Sequence, residues 1–183
     1  MGRLPVLCLC LALLAGSCGG DASTDEPPWG LDAIDMPDTV EEVQAAISAL
    51  PGEIDGLSRS GGGILGGSAG VMYGESGIFW IVQVQPTEQI EMLGMPGVNT
   101  PTDWLESVGS GKSVDRSIEE RALTGGLLWV ASSSEWETAP GQMGTAYLLD
   151  WAQPGGDFAF FIQAGSEAGR IALVEAFITA AGG

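Results

Sequence analysis

Residues 145–163, TAYLLDWAQPGGDFAFFIQ, decide the fold reading. Two apolar runs, Thr145–Trp151 and Phe158–Gln163, flank Gln153-Pro154-Gly155-Gly156-Asp157, and the proline and glycines of that link are turn formers. The pair reads as two antiparallel strands. Alternation along the second places Phe158, Phe160 and Ile162 on one face and Ala159 and Phe161 on the other. Because both faces are apolar, this strand is expected at the centre of a sheet and covered on both sides.

Downstream, Ser166 with Glu167 opens a helix whose expected apolar face is Ile171, Val174, Phe177, Ile178 and Ala181, ended by Gly182-Gly183. Upstream, Leu127–Ser132 (LLWVAS) reads as another strand, and Ser113–Leu123 fits either a helix or a strand. Val71–Tyr73 and Ile78–Val84 flank Gly74-Glu75-Ser76-Gly77, a hairpin signal. Thr100 as N-cap, Pro101 at the first helical position and Asp103 mark a short helix that runs through Trp104 and Val108 to Gly109. Another helix starts at Asp38, with Glu41 three residues on; it carries Val40, Val43, Ile47 and Leu50 on one face and stops at Pro51-Gly52. Between these elements, residues 52–70 are rich in Gly and Ser. The expected architecture is one α+β domain over residues 38–183, an antiparallel sheet of about five strands covered by helices. The strand, strand, helix order within Leu127–Ala181 resembles the ending of small exported domains of the PsbP-like type, a resemblance that bears on fold alone.

The N-terminus carries an export signal. Arg3 supplies a positive charge, Leu4–Leu14 (LPVLCLCLALL) an apolar run, and Ala15-Gly16-Ser17 the small residues that fit a peptidase cleft, so residues 1–17 read as a signal peptide. The run is too short to cross a hydrocarbon core of about 30 Å as a helix. Leu14-Ala15-Gly16-Ser17-Cys18 resembles the lipobox of bacterial lipoproteins, although leucine stands one position further from the cysteine than is usual there. The resemblance implies that the Cys18 sulfur is acylated and that cleavage falls before it, giving a membrane-anchored lipoprotein of the bacterial cell envelope. Ordinary signal peptidase cleavage at the same bond is the alternative and would leave a free, oxidisable thiol at an exported N-terminus. Residues 18–37 mix Gly, Pro, Ser and acids without periodicity and read as an acidic tether. Asp32, Asp35 and Asp38 recur within this stretch and its border, but their spacing is not that of a calcium-binding EF-hand loop.

Charge excludes several partners. The chain has 24 Asp and Glu against 6 Lys and Arg, a formal net charge of −18. Such a field repels phosphate backbones and anionic headgroups, so nucleic acid is disfavoured and the membrane is reached through the lipid on Cys18. There is no histidine, the commonest general base and metal ligand, and the 3 cysteines, Cys8, Cys10 and Cys18, all precede the domain. Neither a disulfide framework nor a thiolate metal site fits the domain, and no cofactor or metal is expected.

Two motif matches fail on their chemistry. Gly66-Gly67-Ser68-Ala69-Gly70 fits the G-x-S-x-G nucleophile elbow, but the serine lacks a histidine base, and five residues of a Gly/Ser-rich stretch match such a pattern easily. Gly109-Ser110-Gly111-Lys112-Ser113 imitates the end of a phosphate-binding loop, but Glu106 stands where that loop needs glycine. A pair of carboxylates remains compatible with glycoside hydrolysis, which needs only an acid and a base or nucleophile. Asp150, inside an apolar run, is the acid singled out for a perturbed environment, although an edge or solvent-facing position is the expected one.

Of the 6 tryptophans, Trp80, Trp129 and Trp151 lie in apolar runs and are expected in the core, and Trp104 on the buried side of its short helix. Trp136 lies in Ser132–Pro140 (SSSEWETAP), which reads as a polar loop; an indole there is either a contact residue or is tucked over a sheet edge. Trp136 with Glu135 and Glu137 is the candidate contact loop. The leading functional expectation is an envelope-tethered, non-catalytic domain that binds another envelope protein. The alternatives are a carboxylate-based hydrolase of envelope polysaccharide and a carrier of lipid or another apolar molecule.

Overall fold

Phe158–Ala164 forms the central strand of an eight-stranded antiparallel sheet in the computed structural model, which describes residues 36–65, 68–75, 80–86, 100–110, 117–123, 128–152 and 155–182. The strands are β1 (Glu53–Ile54), β2 (Leu57–Leu65), β3 (Ser68–Tyr73), β4 (Trp80–Pro86), β5 (Ser117–Leu123), β6 (Leu128–Ala139), β7 (Gln142–Ala152) and β8 (Phe158–Ala164). Their order is β1-β2-β3-β4-β8-β7-β6-β5. Two four-stranded meanders are therefore joined along β4 and β8, with Val82 opposite Ile162 and Val84 opposite Phe160. The α+β class expected from the sequence holds, but the sheet is wider than the expected five strands.

The added strands come from segments whose composition hides them. β2 and the start of β3 lie in the Gly/Ser-rich stretch, where glycine weakens strand propensity and only cross-strand pairing holds the chain extended. β5 resolves the ambiguous segment as a strand from Ser117, paired with β6. The β3–β4 and β7–β8 hairpins form as expected, with Tyr73 opposite Trp80 and Trp151 opposite Phe160.

Three helices occur among the described residues: α1 (Val40–Ala49), α2 (Pro101–Gly109) and α3 (Glu167–Ala181). None of them is long and apolar enough to cross a membrane. The cap of α1 is Thr39 rather than Asp38. Its hydroxyl accepts from Glu42 N at 3.2 Å, and Glu42 Oε2 accepts from Thr39 N at 3.2 Å and Asp38 N at 3.1 Å, a complete capping box one residue later than expected. Thr100 caps α2 through Asp103 N at 3.1 Å, and Ser166 caps α3 through Gly169 N at 3.0 Å.

Helices α1 and α3 cover one face of the sheet. Val43, Ile47, Leu173, Val174 and Phe177 pack there with Val71, Tyr73, Val84, Trp129, Leu149, Trp151, Phe160 and Ile162. Trp151 stacks on Phe160 at 5.2 Å, and Phe177 meets Trp151 edge-on at 5.6 Å, so helix and sheet lock through aromatic contacts as well as area. The α3 face differs from the expected one. Gly169, Arg170, Leu173, Val174 and Phe177 are buried, whereas Ile171, Ile178 and Ala181 are only half-buried. The helix is apolar nearly all round, so its sequence does not fix its rotation, and the sheet does.

On the opposite face, Leu105 and Val108 of α2 cover Leu128, Val130 and Ala152, with Trp104 packed beside them. On the central strand itself, Ala159 of this face is buried and Phe161 is half-buried, while the helix packs on β6 and β7 rather than on β8. The core also begins before the expected domain boundary, because Met36 is buried against it and Pro37 is buried beside it.

A two-stranded arm as the candidate interaction site

Strands β6 and β7 pair along almost their whole length, but among the described residues their neighbours stop short. β5 accompanies β6 only as far as Ser133, opposite Ser117, and β8 accompanies β7 only from Tyr147, opposite Ala164. Among the described residues, 134–139 and 142–146 therefore pair only with each other, forming a two-stranded arm beyond the body of the sheet. At about 3.3 Å per residue the arm is roughly 20 Å long. Pro140 and Gly141, the latter with φ +77°, make the turn at its tip, as a type II turn with Pro then Gly requires.

Here the expected loop Ser132–Pro140 is corrected: residues 132–139 are strand. The arm mixes polar residues with Trp136 and Met143 and lacks the alternation that marks a half-buried strand, and at its base Ala146 is buried. Glu135 is exposed and pairs with Thr145, and Met143 is 63% exposed. In the backbone register Trp136 stands opposite Gly144 and Glu137 opposite Met143, and the side chains of Trp136 and Glu137 lie outside the described residues. The three residues singled out from the sequence thus fall on consecutive positions of one arm strand.

The base of the arm is fixed to α3. Arg170 is only 2% exposed, and its Nη1 donates to the Leu148 carbonyl oxygen at 3.0 Å and to that of Ser132 at 3.5 Å. Its guanidinium lies 5.7 Å from the centre of the Tyr147 ring, and Nη2 is 3.8 Å from Glu167 Oε1. One cation in the first turn of α3 therefore holds adjacent positions of β6 and β7 where the arm leaves the body. No sequence periodicity marks this residue, because a buried arginine on a helix reads as a solvated one. Between Arg121 and Arg170 the chain has no lysine or arginine, so the arm presents acids without bases.

The other end of α3 lies beside the point where the described chain begins. Met36, Asp38, Glu42, Ala180 and Ala181 line one cleft between the start of α1 and the end of α3. From Arg170 at the arm's base to Ala181 at this entry point, α3 rises about 16 Å. The arm's base and the N-terminal entry thus lie toward opposite ends of α3.

The remaining candidates resolve as follows. Asp150 is fully buried on the inner strand β7, not at an edge, and its cross-strand neighbours are Val130 and Phe161, so neither adjacent strand sets a second carboxylate opposite it. Ser68 starts strand β3, which leads into a hairpin rather than a helix, so the nucleophile-elbow geometry is absent there. Gly109 ends α2 and Ser110 N donates to Glu106 O at 2.9 Å, a helix-ending turn; Lys112 and Ser113 lie outside the described residues. Trp129 and Trp151 are core residues, 1% and 0% exposed. The side chain of Trp80, the signal peptide, Cys18 and the tether up to residue 35 also lie outside the described residues. Among the described residues, no group of three or more acids, cysteines or histidines is placed to hold a metal.

Compared with known proteins, the chain matches no family model and no curated protein.

Proposed function

We propose that this chain is an exported, lipid-anchored protein of the bacterial cell envelope whose domain binds another envelope protein through the β6–β7 arm. The observation that carries the reading is the arm itself, whose base lies toward the other end of α3 from the entry of the chain at Met36. A tether anchored through Cys18 would hold the entry end toward the membrane and present the arm away from it. A two-stranded ribbon is marginally stable alone, so an arm of this length gains most when a partner covers it. Its acids favour a cationic partner surface, and the exposed Met143 adds an adaptable apolar contact.

Photo-crosslinking from position 136 of the full-length protein in its native membranes tests the reading, with adducts identified by mass spectrometry. A discrete protein adduct is expected. Glycan or lipid adducts alone, or none, would overturn it. Trp136→Ala should weaken that partner's binding by about 2 kcal/mol or more while the melting temperature stays nearly constant. A large fall in melting temperature would instead make the indole part of the fold.

A further inference from the structure

The two edges of the sheet are built differently. β5 ends the sheet on one side, and three of its seven residues, Glu119, Glu120 and Arg121, are charged, the usual guard against a strange strand. The other side ends in β1, which covers β2 only at Leu57 and Ser58. Gly52 extends that cover by one residue, its carbonyl oxygen accepting from Arg59 N at 2.8 Å, and beyond Arg59, among the described residues, the outer edge of β2 is open. Its bulge is confined to Arg59–Gly61, leaving Gly61–Leu65 in unbroken register with Met72–Ser68 of β3. No charge and no proline occurs from Ser60 to Gly74. Gly62 and Gly63 are exposed, and Ile64 is 47% exposed.

We infer that this edge is a self-association site at which β2 of a second copy pairs antiparallel about Gly63, continuing the sheet across a two-fold axis. Three observations select a second copy. The sequence Gly61-Gly62-Gly63-Ile64-Leu65 is self-complementary: antiparallel pairing about Gly63 sets Ile64 opposite Gly62 and Leu65 opposite Gly61 in both directions, large residues against none, as an isologous contact requires. Gly63 also has no internal reason to be glycine, since its φ is not in the left-handed region and an added Cβ would meet nothing within 4 Å. Such a glycine weakens a strand by roughly 0.5–1 kcal/mol, which an interface at that position explains. Finally, two copies each carrying −18 repel one another over most approaches, and this uncharged run is where their backbones can meet at least electrostatic cost.

Sedimentation equilibrium of the full chain in density-matched detergent tests the inference. A monomer–dimer equilibrium is expected, strengthened by added salt because salt screens the repulsion between copies. Gly63→Lys and Ile64→Lys should each reduce the association constant by about tenfold or more with the melting temperature unchanged, Gly63→Lys because it sets like charges face to face. Gly63→Cys should form an intermolecular disulfide under mild oxidation, at a position where the wild-type chain has no thiol. A chain that stays monomeric, a dimer indifferent to both lysine variants, or a Gly63→Cys dimer that does not crosslink would overturn it.

Discussion

Arg170, in the first turn of α3, donates a hydrogen bond of 3.0 Å to the carbonyl oxygen of Leu148, in the strand from which the arm projects. The contact joins residues 22 positions apart and ties the helix that spans the domain to the base of its most extended element. Arg170→Ala is expected to destabilise the domain by about 1.5–3 kcal/mol, the value of a buried hydrogen bond from a charged donor. Arg170→Lys should recover only part of this, since a single ammonium nitrogen cannot serve the Leu148 and Ser132 carbonyls, as Nη1 does, while a second nitrogen faces Glu167, as Nη2 does. Denaturant titration of the three proteins measures both; a neutral Arg170→Ala would remove the claim.

The capping box of α1 gives a pH dependence whose sign is fixed. The amide of Asp38, then the hydroxyl of Thr39, hold the Glu42 carboxyl below the usual carboxylate range. A depressed acid stabilises the fold above its unfolded value, and the gain is lost as pH falls through the folded value. Denaturation midpoints followed from neutral to strongly acid pH should therefore fall less for Glu42→Gln than for the wild type. Thr39→Ala, measured at neutral pH, should cost about 1 kcal/mol.

Adjacent glycines of β2 should respond in opposite directions to the same change. Gly62 has φ +144°, and a Cβ there would lie 2.6 Å from the Gly70 carbonyl oxygen. Gly62→Ala is expected to cost about 1–3 kcal/mol. Gly63→Ala should be neutral or stabilise the monomer by up to about 1 kcal/mol, because it narrows the unfolded ensemble without strain. Thermal melts in dilute solution compare them, and equal losses at both positions would contradict the β2 geometry.

Acylation at Cys18 predicts that the wild-type chain incorporates radiolabelled fatty acid and sediments with membranes. Cys18→Ala should lose the label and leave the membrane fraction while folding normally. Persistence of the label in the variant would place the lipid elsewhere.

By itself the sequence determined the elements in which local chemistry and burial agree. The run Phe158–Ile162 is apolar on both faces, and its central place in the sheet was legible from that. The caps at Thr100 and Ser166 follow from side-chain hydrogen bonding, which acts within a few residues. The tertiary structure decided what depends on distant partners. Gly61-Gly62-Gly63 is strand only because β3 supplies its ladder, and Ser132–Ala139 is strand only because β7 does. The face of α3 was set by the aromatic residues it meets and by two backbone carbonyls that accept from Arg170. Glu135, Trp136 and Glu137 were legible as an unusual polar stretch, but their presentation on an arm was not. An arm is defined by where β5 and β8 stop, and no local pattern records the end of a neighbouring strand.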